Sequence, residues 1–548
     1  MSGNGEARPE AYTDFDVVII GAGLAGLYAL WKCRALGFRT RVLEAGPAVG
    51  GTWYWNRYPG LRCDVESMQY SYSFLSELEQ TWSWSEKYAA QPEILAYINH
   101  VAKSLDLARD IQFDSRVSDA IFDADRNGWD IRVVGQPLAL RAKFCLMATG
   151  CLSVPKPVDL AGASEFGGQV LHTTNWPNEM VSLDQKRVGV VGTGSSGIQL
   201  IPVVARQCAH LTVFQRTPNY SVPARNLPMT ASYEERWKSS YPTLRELAAN
   251  QPTNILHTDA EAKVIASGLL SALEATPEEL EAELEYRWST GGLAILSSFS
   301  DIRRNERANA VVSEFLREKI KTTVKDPETA RKLLPTFPVG SRRLCLDTDY
   351  YATYNRSNVS LVDLRSEPIK SIVPRGIETT SRAYELDTII MATGYDAMTG
   401  ALNKMRIVGQ MGQELRDSWK DGPVSYLGLA VAGFPNLFLI TGPTSPSVLT
   451  NMIASIEHHV EWIVQLLTHL KETKVSSANP KPEAQADWMR HVRGEAEKVL
   501  AFDANSWQAG GNIKGKPRAV MTYPSGVPAY RKICASVAHN RYEGFDLK

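Results

Sequence analysis

The stretch DVVIIGAGLAGLYAL (residues 16–30) places a glycine-rich turn between an apolar run typical of a buried strand and a segment typical of a helix. Its glycines, Gly21, Gly23 and Gly26, form the spacing GxGxxG, and RVGVVGTGSSGIQLI (residues 187–201) repeats this spacing about 170 residues later. In such a strand–turn–helix unit the first two glycines permit a tight turn beside a pyrophosphate, and the third lets the helix pack on the strand. Because the N–H groups at the helix start then face the phosphates, the two units predict a chain that binds two dinucleotides.

The residue that ends the next strand distinguishes the two sites. Glu44 lies 18 residues beyond Gly26, close to the ~20 residues at which a carboxylate binds ribose hydroxyls, which favours FAD or NAD(H). Arg216 ends the matching strand of the second unit. A guanidinium there fits a phosphate in a bidentate way, which favours NADP(H). The alternative is that both are ordinary exposed charges at strand ends.

Composition and charge exclude several classes of partner. The 548 residues carry 59 basic and 60 acidic side chains, so no basic surface for nucleic acid or for a membrane is expected. No apolar run reaches the ~18 residues that span a bilayer, and the polar N-terminal segment does not resemble a signal peptide. Seven scattered cysteines without a CxxC pair predict reduced thiols in a cytoplasmic protein, and no spacing of metal ligands is found.

We predict an α/β fold with two Rossmann-like dinucleotide-binding domains, one for FAD and one for NADP, and a helical insertion in the NADP domain. Buried strands ending in KFCLMATG and TIIMATG indicate where the chain passes between the domains. The predicted FAD domain comprises residues 1–150 and 393–548, and the predicted NADP domain comprises residues 151–225 and 335–392. Residues 226–334 form the predicted insertion, where Thr276 and the glutamates after it are typical of a helix start. Residues 504–529 are expected to form a loop rather than core.

A third motif, FGGQVLHTTNWP, lies between the two glycine-rich units. It matches the pattern FxGxxxHxxxWP through Phe166, Gly168, His172, Trp176 and Pro177. With a Rossmann turn on each side, the chain resembles the type I Baeyer–Villiger monooxygenases, and within them the phenylacetone and cyclohexanone type. The likeness extends over most of the chain and is weakest in the helical insertion.

This resemblance implies an NADPH- and O2-dependent oxidation of cyclic, aryl-aliphatic or linear ketones to esters or lactones. In that chemistry NADPH reduces FAD, the reduced flavin forms a peroxide at its C4a carbon with dioxygen, and the peroxide anion attacks the ketone. The expected partners are therefore a small ketone and O2, without nucleic acid, membrane or metal. A protein of this size can act as a monomer, so no oligomer is inferred.

The resemblance also implies roles for individual residues. Arg343 would be the catalytic cation, because a permanently charged guanidinium stabilises the peroxide anion and the negative adduct. Asp64 would position Arg343, and Arg342, which is lysine in close relatives, would hold the 2′-phosphate with Arg216. His172 is expected to organise the connection between the domains rather than to act as a base.

The remaining implied residues fall into three groups. Those expected to bind FAD are Gly21, Gly23, Gly26, Glu44, Thr52, Trp53, Trp55, Asp64, Tyr70, Val117 and Met452. Those expected to bind NADP are Thr193, Gly194, Ser195, Ser196, Gly197, Gln199, Arg216, Thr217, Arg342 and Trp507. Those expected to border the substrate are Ser445, Pro446, Ser447, Val448 and Leu449.

Three alternatives remain open at this point. A flavin monooxygenase that oxygenates nitrogen or sulfur shares the two nucleotide sites, but it is expected to lack Trp176, Pro177 and the setting of Arg343. An NADPH oxidase would release hydrogen peroxide without needing a ketone. A non-catalytic nucleotide sensor would bind both nucleotides without turnover.

Overall fold

Helices and strands alternate along much of the chain in the computed structural model, which describes residues 13–157, 160–257, 270–500 and 505–548. The strands are β1 (Thr13–Ile20), β2 (Thr40–Leu43), β3 (Ile111–Gln112), β4 (Val117–Asp123), β5 (Gly128–Val133), β6 (Leu140–Met147), β7 (Gln169–His172), β8 (Arg187–Val191), β9 (His210–Gln215), β10 (Ser221–Pro223), β11 (Cys345–Asp347), β12 (Val359–Asp363), β13 (Ile369–Val373), β14 (Gly376–Thr379), β15 (Ala383–Glu385), β16 (Thr388–Met391), β17 (Arg406–Val408), β18 (Leu437–Leu439), β19 (Ala478–Pro480) and β20 (Phe545–Leu547). The α-helices are α1 (Leu24–Ala35), α2 (Thr52–Trp55), α3 (Ser76–Thr81), α4 (Gln91–Ser104), α5 (Ser195–Gln207), α6 (Ala231–Ala249), α7 (Pro277–Thr290), α8 (Glu306–Thr323), α9 (Pro327–Leu333), α10 (Tyr350–Thr353), α11 (Gly400–Lys404), α12 (Leu415–Ser418), α13 (Met452–Thr473), α14 (Pro482–Ala496) and α15 (Val527–His539). Short 3-10 helices lie at Ala108–Asp110, Ala163–Glu165, Gly292–Ser297, Gln410–Gly412, Ser447–Leu449 and Trp507–Ala509.

Strands from both halves of the chain form the larger sheet. Its order is β17-β4-β5-β6-β1-β2-β3, and β18 pairs with the end of β6. The central strands β6, β1 and β2 are parallel. Val17, Val18 and Ile19 of β1 are fully buried, as expected for a parallel strand covered on both faces.

The second sheet has five parallel strands in the order β12-β9-β8-β16-β7. The glycine-rich turn after β8 therefore lies near the middle of this sheet, as the corresponding turn after β1 does in the first. The prediction of an α/β fold with two Rossmann-like units is confirmed. The exact domain boundaries stay a prediction.

The helices of residues 226–334 contact both sheets. Trp237, Leu284 and Val312 belong to the hydrophobic cluster that contains β1, whereas Ile320 and Leu333 pack with the second sheet. The helices of this segment thus pack against both units. Residues 258–269 of the predicted insertion lie outside the described residues.

The predicted helix start at Thr276 is confirmed. Its side chain accepts a hydrogen bond from the backbone N–H of Glu279, whose own carboxylate accepts one from the Thr276 N–H, forming a capping box. In contrast, α6 begins well before the expected helical stretch TLRELAAN, because Thr230 provides an N-cap upstream.

The C-terminal segment differs in part from the expectation. Residues 505–526 contain only the short helix Trp507–Ala509, so the irregular backbone is as predicted. The expectation that this segment lies outside the core is wrong, because Met521 and Tyr523 are almost fully buried. Ala504 lies outside the described residues.

The third glycine of each turn is required by packing. A Cβ added at Gly26 would lie 1.8 Å from the carbonyl oxygen of Gly21, and one at Gly197 would lie 2.3 Å from that of Gly192. Helices α1 and α5 can therefore approach their strands only with glycine at these positions.

We expect Gly26→Ala to lower the free energy of unfolding by ~3 kcal/mol or more, because a backbone carbonyl cannot move aside without displacing β1. Urea unfolding followed by circular dichroism measures this change. Gly494→Ala is the matched control: Gly494 lies within α14, and its added Cβ would meet nothing within 4 Å. Since alanine favours helix, that variant should be more stable by ~1 kcal/mol. Equal unfolding curves for the two variants would contradict the packing argument.

Candidate active site

A cleft of about 1940 Å³ is lined by residues of both glycine-rich turns, including Gly21, Gly23, Gly192 and Gly194. It lies at the carboxyl ends of the parallel strands, the edge at which α/β sheets bind ligands. None of the helices in the described ranges is long and apolar enough to cross a membrane. Among the same residues, no cluster of three or more His, Cys, Asp and Glu side chains is arranged to hold a metal.

The first turn forms an open cradle at the start of α1. Gly21 has a φ of +107°, a conformation that favours glycine. Gly23 caps α1 without a side-chain hydrogen bond, and no acidic residue lies in the first helical turn. The N-terminal N–H groups of α1 are therefore available to an anion such as a pyrophosphate.

Glu44 accepts a hydrogen bond from the backbone of the first glycine-rich turn. Its Oε2 accepts from the Ala22 N–H at 2.7 Å and its Oε1 from the Gly46 N–H at 2.8 Å, and the residue is only 5% exposed. Burial raises the pKa of the carboxyl, while these backbone donors act in the opposite direction. Because each carboxylate oxygen accepts two hydrogen bonds, Glu44 keeps acceptor capacity towards the cleft that it lines.

The second turn repeats the cradle on the other side of the cleft. Gly194 caps α5 without a side-chain bond, and a Cβ added there would meet nothing within 4 Å. Arg216 follows β9 and lines the cleft, as do Thr217 and Arg342. The Arg342 guanidinium also lies 4.6 Å from the centre of the Phe337 ring. The residues fit a second dinucleotide with an additional phosphate.

Arg343 and Asp64 meet where the two halves of the cleft join. Arg343 Nε donates to Asp64 Oδ2 at 2.6 Å, and Nη2 donates to Oδ1 at 2.7 Å. Nη1 donates to the carbonyl oxygen of Val448, so each nitrogen of the guanidinium is held. Burial alone would lower the pKa of Arg343, but the Asp64 carboxylate raises it above its ordinary value. The side chains are 22% and 25% exposed, which leaves one face of the pair open to the cleft.

An aromatic wall stands beside this pair. Trp53 Nε1 donates to Tyr70 Oη at 3.1 Å, and the two rings pack edge to face with centres 5.7 Å apart. Burial raises the pKa of Tyr70 well above its ordinary value, so its phenol is neutral. The other expected FAD-binding residues that line the cleft are Thr52, Trp55, Val117 and Met452.

Most of the remaining expected NADP-binding residues line the cleft, and Gly197 packs helix α5 against its strand. Those that line the cleft are Thr193, Ser195, Ser196, Gln199 and Trp507. Gln199 also accepts a hydrogen bond from Tyr58 Oη at 2.9 Å and donates to the Arg62 carbonyl at 3.1 Å. Gln199 therefore connects α5 to the loop after α2. Gly26 and Gly197 do not line the cleft and pack helix against strand.

The FxGxxxHxxxWP residues lie behind the cleft rather than in it. His172 ends β7 and pairs with Met391 of β16, and burial lowers the pKa of its imidazole. A Cβ at Gly168 would lie 2.4 Å from the Asp387 carbonyl oxygen. Thr174 and Asn175, between His172 and the buried Trp176, do line the cleft. The motif thus shapes the edge of the second sheet, and Phe166 and Pro177 likewise do not line the cleft.

The predicted substrate loop is placed only in part as expected. Val448 lines the cleft, whereas Ser445, Pro446, Ser447 and Leu449 do not. The Ser445 hydroxyl donates to the Gly442 carbonyl at 2.7 Å, and the Ser447 hydroxyl donates to the Thr441 carbonyl at 3.5 Å. The two hydroxyls therefore bind the loop's own backbone. The structure brings this loop to the site mainly through Val448.

Sequence reasoning missed several residues of the cleft. Tyr395 donates to Asn56 Oδ1, and its carbonyl accepts from Asn512 Nδ2 at 2.8 Å, which ties three loops together. Asn219 Nδ2 lies 3.2 Å from Cys345 Sγ, close behind Arg343. The basic run IKGKPR (residues 513–518) was a usable signal, since its cations line the cleft. No sequence pattern singles out Asn219.

Basic residues outnumber acidic residues in the lining of the cleft. Among the described residues, ten cationic side chains line it against two acidic ones, Glu44 and Asp64. The ten are Arg62, Arg116, Lys156, Arg216, Arg342, Arg343, Lys404, Lys514, Lys516 and Arg518. An excess of this size suits ligands that carry several phosphates.

The chain matches known proteins along nearly its whole length. A family profile described as pyridine nucleotide-disulphide oxidoreductase matches residues 18–266. A Baeyer–Villiger monooxygenase of Pseudooceanicola batsensis is 40% identical over 537 residues, 96% of this chain and 95% of that protein. An acetone monooxygenase (methyl acetate-forming) of Gordonia sp. is 39% identical over 540 residues, 98% and 99% of the two chains. A phenazine N-monooxygenase of Lysobacter antibioticus is 38% identical over 543 residues, 98% and 97%.

Solved structures of flavin monooxygenases are similar to this chain over nearly its whole length. An oxidized steroid monooxygenase bound to NADP is 45% identical, with a TM-score of 0.91 over 98% of this chain and 99% of that one. OTEMO in complex with FAD and NADP is 36% identical, with a TM-score of 0.93 over 98% and 100%. Given two nucleotide cradles joined at an arginine–aspartate pair, and full-length relatives of this kind, the chain belongs to the flavin-dependent Baeyer–Villiger monooxygenase family.

Proposed function

We propose that this protein binds FAD and NADPH and uses dioxygen to convert ketones into esters or lactones. The observation that carries the proposal is the Arg343–Asp64 pair, which lies at the junction of the two nucleotide cradles. The Gordonia relative, named for ketone oxygenation that forms an ester, supports the same reaction class.

The residues present fit both cofactors. Gly21, Gly23 and Glu44 would hold the FAD, with the Trp53–Tyr70 wall beside it, and Gly194, Arg216 and Arg342 would hold NADPH. When bound, the flavin reduced by NADPH activates dioxygen and supplies the oxygen atom that enters the ketone.

The task left to the protein is to stabilise negative charge on oxygen. Because an arginine keeps its proton even when buried, Arg343 provides a permanent cation beside the reacting atoms. Asp64 holds the plane of the guanidinium through two hydrogen bonds, and the Val448 carbonyl fixes the third nitrogen. A donor held in place in this way stabilises a developing anion without reorganising during the reaction.

The protein also has to bring the ketone to this cation. We propose that the ketone lies near Val448, which lines the cleft and whose carbonyl accepts a hydrogen bond from Arg343. We also propose a cytoplasmic location. The seven cysteines are all free and buried, which suits a reducing compartment.

The test is NADPH consumption by the FAD-loaded protein with and without a panel of ketones, with ester and hydrogen peroxide both quantified. We expect ketone-dependent consumption with about one ester per NADPH. Consumption that is the same with every ketone and yields only peroxide would overturn the proposal in favour of an oxidase.

A second candidate, N-oxygenation, is favoured by the Lysobacter relative, which is named for that reaction. A phenazine and a tertiary amine belong in the same assay. N-oxide formation without any ester from the ketones would select this candidate, whereas ester as the main product retains the first.

A further inference from the structure

We propose that Lys156 is a further cation for the 2′-phosphate of NADP, acting beside Arg216. The inference deepens the proposed function, because it depends on the proposed placement of Arg216 at that phosphate. Neither the glycine-rich turns nor the FxGxxxHxxxWP motif includes Lys156, which lies in the proline-rich connection after β6.

The backbone of Lys156 is fixed to the second sheet. Its N–H donates to the Gly394 carbonyl at 3.0 Å, just beyond β16, and the preceding Pro155 forms a β-bridge with Tyr395. Lys156 lines the same cleft as Arg216. Lys156 is thus held at the carboxyl end of β16, next to β8, whose turn carries Gly194.

In the part of the chain that the structure describes, the two cations have no compensating anion. Among the described residues, neither the Lys156 ammonium nor the Arg216 guanidinium has a hydrogen bond or an ion pair. The acidic residues of the cleft are already engaged: Asp64 pairs with Arg343, and Glu44 accepts backbone N–H groups.

The two cations also repel each other. Lys156 is half-buried, and its pKa is lowered first by burial and then by the charge of Arg216. A pair of like charges in a partly dry cleft is unfavourable. A ligand carrying close to two negative charges at one point would relieve both cations at once.

A phosphate monoester has this chemistry, since its second ionisation leaves ~1.5 to 2 negative charges at neutral pH. The planar Arg216 can bind two phosphate oxygens, and the point charge of Lys156 can bind the third. The pyrophosphate is the other phosphate source in the same nucleotide, and the N-terminus of α5 already offers it N–H donors.

The experiment is calorimetric titration of the FAD-loaded protein with NADP+ and with NAD+, which differ only in the 2′-phosphate. We expect Lys156→Gln to weaken NADP+ binding by ~10-fold, as for the loss of one charge-assisted hydrogen bond, and to leave NAD+ binding within ~2-fold. Lys156→Arg, which keeps the charge, should retain most of the NADP+ affinity.

Lys143→Gln is the matched control. Lys143 is also a half-buried lysine whose pKa burial lowers, but it lies on β6 and does not line the cleft. Its replacement should leave both affinities unchanged. FAD content and circular dichroism identify any variant that fails to fold.

The Arg216 and Lys156 variants distinguish a wrong position of the 2′-phosphate from a wrong role of Lys156. Arg216→Gln tests the underlying placement, because an unchanged ratio of NADP+ to NAD+ affinity in that variant would show that the 2′-phosphate lies elsewhere. If Arg216→Gln changes the ratio but Lys156→Gln does not, the role of Lys156 is overturned alone. Equal weakening of NADP+ and NAD+ by Lys156→Gln would move Lys156 to the pyrophosphate and likewise overturn the proposal.

Discussion

Arg343→Ala is expected to reduce ester formation by ~10³-fold or more, the scale seen when a preorganised donor to a developing oxyanion is removed. The variant should still bind both cofactors, because Arg343 lies between the two cradles and is part of neither. NADPH oxidation should therefore continue and release hydrogen peroxide in place of ester. Ester and peroxide per NADPH, measured at saturating NADPH, report the change directly.

Two further variants test whether the effect of Arg343→Ala comes from the placed guanidinium of this residue. Arg343→Lys keeps the charge but cannot reproduce the three hydrogen bonds to Asp64 and Val448, so its ester yield should lie between those of the wild type and Arg343→Ala. Arg342→Ala removes the adjacent arginine and should weaken NADP+ binding while leaving ester per NADPH unchanged. If Arg343→Ala formed ester within ~10-fold of the wild-type rate, the stabilisation assigned to this cation would be wrong.

Asp64→Ala is expected to lower both stability and activity. Its removal leaves the Arg343 guanidinium partly buried without its anion, and breaking such pairs is strongly destabilising. Because the two side chains are 22% and 25% exposed, we expect a loss of ~2–3 kcal/mol in the free energy of unfolding. Ester formation should fall by ~10²-fold, since the freed guanidinium is no longer held in one orientation.

Urea unfolding and the rate of ester formation measure these two effects separately. Asp64→Asn keeps one acceptor oxygen and should lose less stability than Asp64→Ala. In the double variant with Arg343→Ala the stability losses should be less than additive, because the unpaired charge is then absent. Fully additive losses would mean that the two residues are not energetically coupled.

Local patterns in the sequence were sufficient to predict both glycine-rich turns and the charged residue that follows each. Spacing within a strand–turn–helix unit is a short-range property, so GxGxxG, Glu44 and Arg216 could be interpreted without knowing the rest of the fold. The capping box at Thr276 belongs to the same category, because its partner is only three residues away.

The Arg343–Asp64 pair could be predicted only from the resemblance of the chain to a known family. Its members lie 279 positions apart, and no spacing rule relates residues so distant along a chain. The tertiary structure also decides that the Val448 carbonyl completes the site, that Ser445 and Ser447 bind their own loop, and that Lys156 shares the cleft with Arg216.

By itself, the sequence determined the two strand–turn–helix units and the charged residue that follows each, because these features depend on neighbours within about one βαβ unit. Only the tertiary structure decided which residues meet in the cleft and which of them form ion pairs or bind their own loop. The physical reason is that burial, ion pairing and the orientation of loops depend on contacts between segments far apart in the chain, and these contacts exist only after the two sheets have packed together.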